Sequence, residues 1–478
     1  MQIGMGLRLL ETLTSALYED PIVFFREYVQ NSVDAFTNNS TNEQQEIHIS
    51  IDRKSRTIEF LDNGPAIKEN LFFEKMTSIG KSDKKKKIDQ IGFRGIGRLS
   101  AMPFCKELVF ENKPEGSSVL QSFSWDGNKY NSLLSKSAED DLLIAINEIT
   151  RQNTKIYTGQ TEEHFFKVKL IDYSDEIEAL INSKDFDFRL KRILPLKYED
   201  SFSAKDVIHK HYREFMGDSL ERFEYEVYLD NEKIYKPYDA RCILESDIVF
   251  WDLSFEKESD EVPGDKIGVL WFTFNRKVTT NSENTPRGIY VRSKNMMLGN
   301  EYAIADSMTR LSSDYVATYR ELTQTLNGVY GELLIDTERL SDNARRDWFK
   351  IDKSSNELKI ILTDFLRKLK AYRYAASKAF NHKQDKTKKQ VIEAYRNLTG
   401  GFNIAEFEKN FTDMTPEPVT ENIFLYADDD IPRHSMTSKK FYETIIIALR
   451  QYCLENKGVD GIDELIKIRT FLKKYLNE

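Results

Sequence analysis

Three polar residues constrain this 478-residue sequence more than any other feature. Glu27, Asn31 and Asp34 sit four and three positions apart in a stretch, 21–38, that otherwise reads as an amphipathic helix. Pro21 suits a first helical turn, and Val23, Phe24, Val29 and Val33 mark a buried side. The spacing gathers a carboxylate, an amide and a second carboxylate on one helix face. A carboxylate able to activate water, one turn from an amide oxygen, suits a magnesium-bound phosphate. Standing alone, the same pattern is better described as an ordinary solvated face.

Charge and cysteine usage narrow the class. The net charge of −9 gives no global attraction to nucleic acid or anionic lipid, although Lys84–Lys87 form a local basic run. Cys105, Cys242 and Cys453 are widely spaced and form no C-x-x-C, so a zinc site is not expected and free thiols in a reducing cytosol are. The first residues lack the basic and apolar regions of a secretory signal. No apolar run approaches the roughly 18–20 residues needed to span a bilayer. A cytoplasmic protein without membrane contact is expected.

The pattern along the chain predicts an α+β protein in three parts. Helical runs at 6–17 and 21–38 precede strand-like runs at 46–51 and 57–61, a turn, a helical stretch at 69–78 and a lysine-rich loop. A glycine-rich segment, 92–97, leads toward a predicted helix and strands at 107–111, 120–125 and 165–171. Strands at 223–229, 267–275, 288–292 and 330–335 then suggest a second α/β domain. Helical periodicity dominates from 354, with runs at 358–380, 388–398, 439–455 and 461–476 and a proline-rich loop at 412–432. The expected divisions are 1–172, 173–352 and 353–478.

Two further segments bear on chemistry. Asp62-Asn63-Gly64-Pro65 directly follows a strand, where a carboxylate can accept a hydrogen bond from an exocyclic amine such as that of adenine; Asn-Gly after a strand is also ordinary turn chemistry. Gly92-Phe93-Arg94-Gly95-Ile96-Gly97 spaces glycines so that backbone N–H groups can approach phosphates. It does not follow a strand in a βαβ unit, and no P-loop sequence is present.

Taken together, these segments resemble the Bergerat-fold GHKL superfamily, which includes gyrase, the 90-kilodalton heat-shock chaperones, histidine kinases and MutL. Its E-x-x-x-N-x-x-D-A box is met in full, D-x-G-x-G in part and G-x-x-G-x-G in full, in the family's order. A fourth segment, IDTERLSDNARRDWF at 335–349, is similar to the chaperones' middle-domain loop, D-x-E-D-L-P-L-N-x-S-R-E, with Arg346 on the family's arginine. Ile79-Gly80-Lys81-Ser82 is similar to the I-A-K-S of the ATP lid. Residues 287–294 resemble a transducer-domain strand.

The resemblance implies an N-terminal Bergerat-fold α/β sandwich that binds and hydrolyses ATP with Mg²⁺, a transducer-like second domain and a helical C-terminal region. Asp62 would read the adenine, and Asp34, Asn63, Gly64 and Ile67 would line the nucleotide. Gly92, Phe93, Arg94, Gly95, Ile96 and Gly97 would face the phosphates. Asn31 would hold Mg²⁺, Glu27 would deprotonate water, and Lys81 and Arg346 would offset charge on the γ-phosphoryl group. The family also has a threonine near adenine on a late strand, which Thr158 or Thr161 could supply, Thr161 being taken as the nucleotide contact. Departures are Ala66 at the second glycine of D-x-G-x-G and Asn38 at a common lysine. A homodimer acting on a protein client, with nucleotide coupled to domain closure, is expected. The alternative is a DNA-linked ATPase of the MutL or MORC kind, which the acidic balance disfavours, or an accessory ATPase of a bacterial defence system. A nucleotide-binding scaffold without turnover is the non-enzymatic reading. A histidine kinase is not expected, since that reading needs a phosphoacceptor helix before Glu27 and residues 1–26 hold no histidine.

Overall fold

The computed structural model describes residues 20–37, 44–78, 97–135, 142–238, 248–255, 265–274, 286–309, 319–327, 329–343, 345–382 and 385–400. The predicted helices at 6–17, 439–455 and 461–476, the 412–432 loop, the lysine-rich run, Lys81, residues 92–96, Cys242 and Cys453 lie outside them.

The first described element is α1 (Val23–Phe36). Phe24, Phe25, Tyr28, Val29, Val33 and Phe36 are all buried, and each such side chain stabilises the fold by about 1.5–3 kcal/mol. They pack on a sheet that begins with β1 (Glu46–Asp52) and β2 (Thr57–Asp62). Both strands alternate strictly: Ile47, Ile49 and Ile51 on β1, and Ile58, Phe60 and Asp62 on β2, are the buried positions. Asp62 therefore takes the last inward position of an otherwise apolar series.

A short helix, α2 (Phe72–Thr77), precedes the paired strands β3 (Cys105–Lys113) and β4 (Val119–Asp126). The helix predicted after Gly97 is reduced to two 3-10 turns, Gly97–Leu99 and Met102–Phe104. Pro103 falls in the second and cannot supply the amide a longer helix needs. Helices α3 (Gly127–Ser135) and α4 (Leu142–Ile149) lead to β5 (Thr150–Ile156), and β6 (Phe165–Tyr173) returns between β3 and β2.

The chain then runs through α5 (Asp175–Ile181), α6 (Phe186–Ile193) and α7 (Lys205–Met216) to β7 (Glu226–Leu229) and β8 (Glu232–Ile234). These two strands join the first sheet, whose order is β5-β4-β3-β6-β2-β1-β7-β8. β7 lies parallel to β1, with Ile47 opposite Val227; the other neighbours are antiparallel. The sheet thus continues past residue 172.

A second sheet is built from β9 (Val249–Ser254), β10 (Lys266–Phe274), β11 (Gly288–Ser293), β12 (Met296–Leu298) and β13 (Val329–Ile335), in the order β12-β11-β13-β10-β9. Both faces are covered, which is why every residue of β13 is buried. Val269, Trp271, Tyr330 and Leu334 pack with Tyr198, Phe202 and Tyr212 on one face. Leu270, Phe272, Val329 and Leu333 pack with Leu358, Leu362 and Phe365 on the other. Those last three come from α10 (Lys353–His382), which follows α8 (Ala303–Thr309) and α9 (Tyr319–Leu326) and pairs with α11 (Asp385–Thr399).

A buried polar joint ties the two sheets. Glu332 on β13 accepts from Arg292 on β11, from Lys236 Nζ at 2.8 Å and from Tyr198, and Glu332 and Arg292 are fully buried. Asn295 Nδ2 donates to the carbonyls of Leu196 at 3.2 Å and Phe223 at 2.9 Å, and Met296 enters the core beneath the first sheet.

Candidate functional site

Helix α1 is enclosed on nearly every side. Glu27 is 4% exposed and Asp34 1%, so the polar face is not a solvated one; Asn31 is half-buried. Two clusters lie along it.

The first gathers at the end of β2. Ser32 Oγ donates to Asp62 Oδ2 at 2.6 Å, and the Gly64 amide donates to Oδ1 at 3.0 Å. Burial pushes the Asp62 carboxyl up to about 6, against the opposing effects of those two bonds and of nearby His164. The turn that follows holds Ala66 at φ 57°, the left-handed region that favours glycine. The backbone of Ile67 is clamped by one side chain: its amide donates to Asn112 Oδ1 and its carbonyl accepts from Asn112 Nδ2, both at 2.8 Å. Asn112 also donates to Gln121 Oε1 at 3.1 Å. Asn63 turns to the adjoining strand instead, donating to the Gln44 carbonyl at 2.7 Å and accepting from the Glu46 amide at 2.9 Å.

Thr161 is exposed, and its hydroxyl donates to Glu162 at 3.0 Å. Its carbonyl is one of three that hold the Lys113 ammonium, with those of Pro114 and Glu163. The residue of this segment that bears electrostatically on Asp62 is His164.

The second cluster surrounds Glu27. Arg346 Nη1, from the loop after β13, lies 3.0 Å from Glu27 Oε1, and Arg26 Nη2 lies 3.6 Å from the same oxygen. The Arg346 side chain is 13% exposed, whereas Arg345 is exposed. Arg346 adopts φ 55°, a conformation that costs a non-glycine residue about 1–2 kcal/mol. Its carbonyl accepts from the Gly299 amide at 2.9 Å. Opposite, Gly97 abuts the carboxylate so closely that a Cβ there would lie 2.1 Å from Glu27 Oε2. Tyr28 fixes the neighbouring backbone, donating to the Arg98 carbonyl at 3.1 Å. The described end of the glycine-rich segment is thus packed directly on α1.

Ser32, Asn112, Arg26 and His164 were not among the sequence candidates. One signal was present: Asn112 follows Leu108 and Phe110 at the inward positions of β3, an amide where an apolar residue belongs. Among the described residues no group of three or more His, Cys, Asp or Glu is arranged to hold a metal, and no helix is long and apolar enough to cross a membrane.

Residues 23–156, which hold α1, Asp62 and the glycine-rich segment, match the family described as histidine kinase-, DNA gyrase B- and HSP90-like ATPase. This region is a GHKL ATPase-family domain. Part of the chain is similar to chaperone protein HtpG of Francisella tularensis subsp. tularensis, 25% identical over 240 residues that cover 44% of this chain and 38% of the relative. HtpG of Helicobacter pylori is 29% identical over 140 residues, 25% of this chain and 22% of the relative. The GHKL-containing chain therefore spans well under half the length of these curated relatives. Among solved structures it is similar to the ATPase and transducer domains of DNA topoisomerase II from Balamuthia mandrillaris, with a TM-score of 0.39, 13% identity and coverage of 75% of this chain and 86% of that one.

Proposed function

We propose that this protein binds ATP between Asp62 and the glycine-rich segment and hydrolyses it with Glu27 as the general base. The observation that carries the reading is the buried Glu27 carboxylate, bounded by Gly97 on one side and the Arg346 guanidinium on the other. Asp62 offers a fixed acceptor: Ser32 and Gly64 orient the carboxyl by donating to both of its oxygens, each of which keeps further lone pairs for an adenine amine. Arg346 is placed to offset charge on a departing phosphoryl group beside the base.

Magnesium fits the hard oxygen donor of Asn31, which is half-buried one turn from Glu27 and would hold the ion; when bound, it would supply positive charge against the phosphates. Lys81 and residues 92–96 complete the reading as phosphate contacts, by resemblance alone. The same resemblance extends it to a cytoplasmic, chaperone-like homodimer that remodels a protein client, with Arg346 linking nucleotide state to the second sheet.

The test is Glu27→Gln in the full chain. Calorimetry should show ATP bound with affinity within about threefold of the parent, while phosphate release drops by on the order of 10³-fold. Turnover at the parental rate removes Glu27 from the mechanism, and an absence of ATP binding by the parent chain removes the whole reading.

A further inference from the structure

Asp62 is one of a row of residues at the same level of the first sheet. Strand register sets Asp62 opposite Phe166, Phe166 opposite Asn112, and Asn112 opposite Gln121, across β2, β6, β3 and β4. Directly paired residues share a face, and on this face Phe166 packs against the first core. Apolar residues would suit the other positions, yet Asn112 is 0% exposed and Gln121 4%. A buried amide is costly unless it is bonded, so the bonds these two make identify their role.

Those bonds lead to the segment that follows Asp62. Asn112 holds the Ile67 backbone by both its N–H and its C=O, and also donates to Gln121 Oε1 at 3.1 Å. Gln121 Nε2 in turn donates to the Glu69 carbonyl at 2.9 Å, where the 3-10 turn Glu69–Leu71 begins. Asp62 and Asn112 lie on strands two apart, roughly 9–10 Å at the usual spacing. Residues 63–66 therefore bridge β6, from an end fixed at Asp62 to an end fixed by Asn112 and Gln121. The position of Ile67 relative to the Asp62 carboxyl is thus set from β3 and β4 as well as by the turn.

We propose that Asn112 and Gln121 are positioning residues for the nucleobase: by fixing Ile67 and Glu69 across from Asp62, they set the fit of adenine and the preference for it over a base without the amine. The inference rests on the ATPase reading and adds to it the residues that determine base selectivity. The Glu27 cluster lies elsewhere along α1, so the phosphate chemistry should not respond to them.

In the full chain, Asn112→Ala should raise both the KM and the calorimetric Kd for ATP about tenfold while kcat stays within about twofold. GTP carries an oxygen where adenine has its amine. Its affinity, read by competition, should change less than about twofold, so the parental preference for ATP shrinks. Gln121→Met keeps the Asn112–Ile67 bonds and roughly the same volume; it should show the same pattern at about threefold, and it carries the test if Asn112→Ala does not fold. Parental ATP affinity in the folded variants, an equal loss for ATP and GTP, or a kcat loss as large as the KM change overturns the proposal. A parent chain that binds no ATP removes the ATPase reading and this inference with it. A parent that binds ATP no more tightly than the two variants removes this inference alone.

Discussion

Arg346 Nη1 stands 3.0 Å from Glu27 Oε1, which joins the loop after the last strand of the second sheet to helix α1 of the ATPase-family domain. The contact couples a strained backbone to the buried carboxylate proposed as the base. Arg346→Ala should bind ATP within about threefold of the parent and hydrolyse it slower by on the order of 10³-fold. Stability should fall by about 1–3 kcal/mol, since Arg26 remains to accompany the Glu27 carboxylate. Phosphate release and denaturant titration read the two effects separately.

Gly97→Ala tests the other wall. The added methyl meets the far end of a flexible side chain rather than backbone, so Glu27 can give way and the fold should hold. The displaced carboxylate loses its geometry, and a misplacement of about 1 Å costs on the order of 10²-fold in rate. Unchanged circular dichroism with kcat down by about that factor is the expected pair of results. Parental turnover would mean that Glu27 has room the structure denies it.

Asp62 predicts an inverse pH dependence for folding and binding. Its carboxyl titrates at about 6 in the fold, above the roughly 3.9 of an unfolded chain, so the folded state holds the proton more tightly. Its contribution to stability is fully present below about pH 4 and is lost as pH climbs through 6, by up to about 3 kcal/mol. Asp62→Asn should therefore melt higher than the parent at pH 7.5 and match it near pH 4. Nucleotide affinity should run the other way in the parent, falling about tenfold per unit below pH 6 as the acceptor is protonated. The Asn variant should bind ATP poorly at every pH.

Ala66→Gly should stabilise. The left-handed backbone costs alanine about 1–2 kcal/mol, and the greater freedom of an unfolded glycine returns about 0.4–1 kcal/mol of that. A net gain of about 0.5–1 kcal/mol, seen as a higher Tm with unchanged ATP affinity, is expected.

The elements that position the site were legible because their periodicities were clean. Ile58, Phe60 and Asp62 mark alternate residues of one strand, and the Glu27, Asn31, Asp34 spacing could belong only to a helix. What sequence could not reveal depends on contacts between distant segments. The helix face appeared fit for solvent because nothing local shows that Arg346 and Gly97 cover it. Asn63 looked like a ligand contact because its bonds to residues 44–46 exist only once β1 and β2 pair. Thr161 was favoured for its hydroxyl, yet the Lys113 ammonium fixes that loop by its carbonyls and leaves the hydroxyl exposed.

The parallel pairing of β7 with β1 bears on how this polypeptide can be divided. β1 forms part of the platform under α1, and its outer edge is satisfied by residues 226–229 together with Asp230, whose carboxylate accepts from the Ile51 amide at 2.7 Å. A nucleotide-binding fragment trimmed at residue 172 would bare that row of amides and carbonyls to any passing strand, inviting self-association. Hydrogen bonding across the sheet carries the platform under α1 on to Ile234, so a cut at 172 would fall inside one continuous sheet.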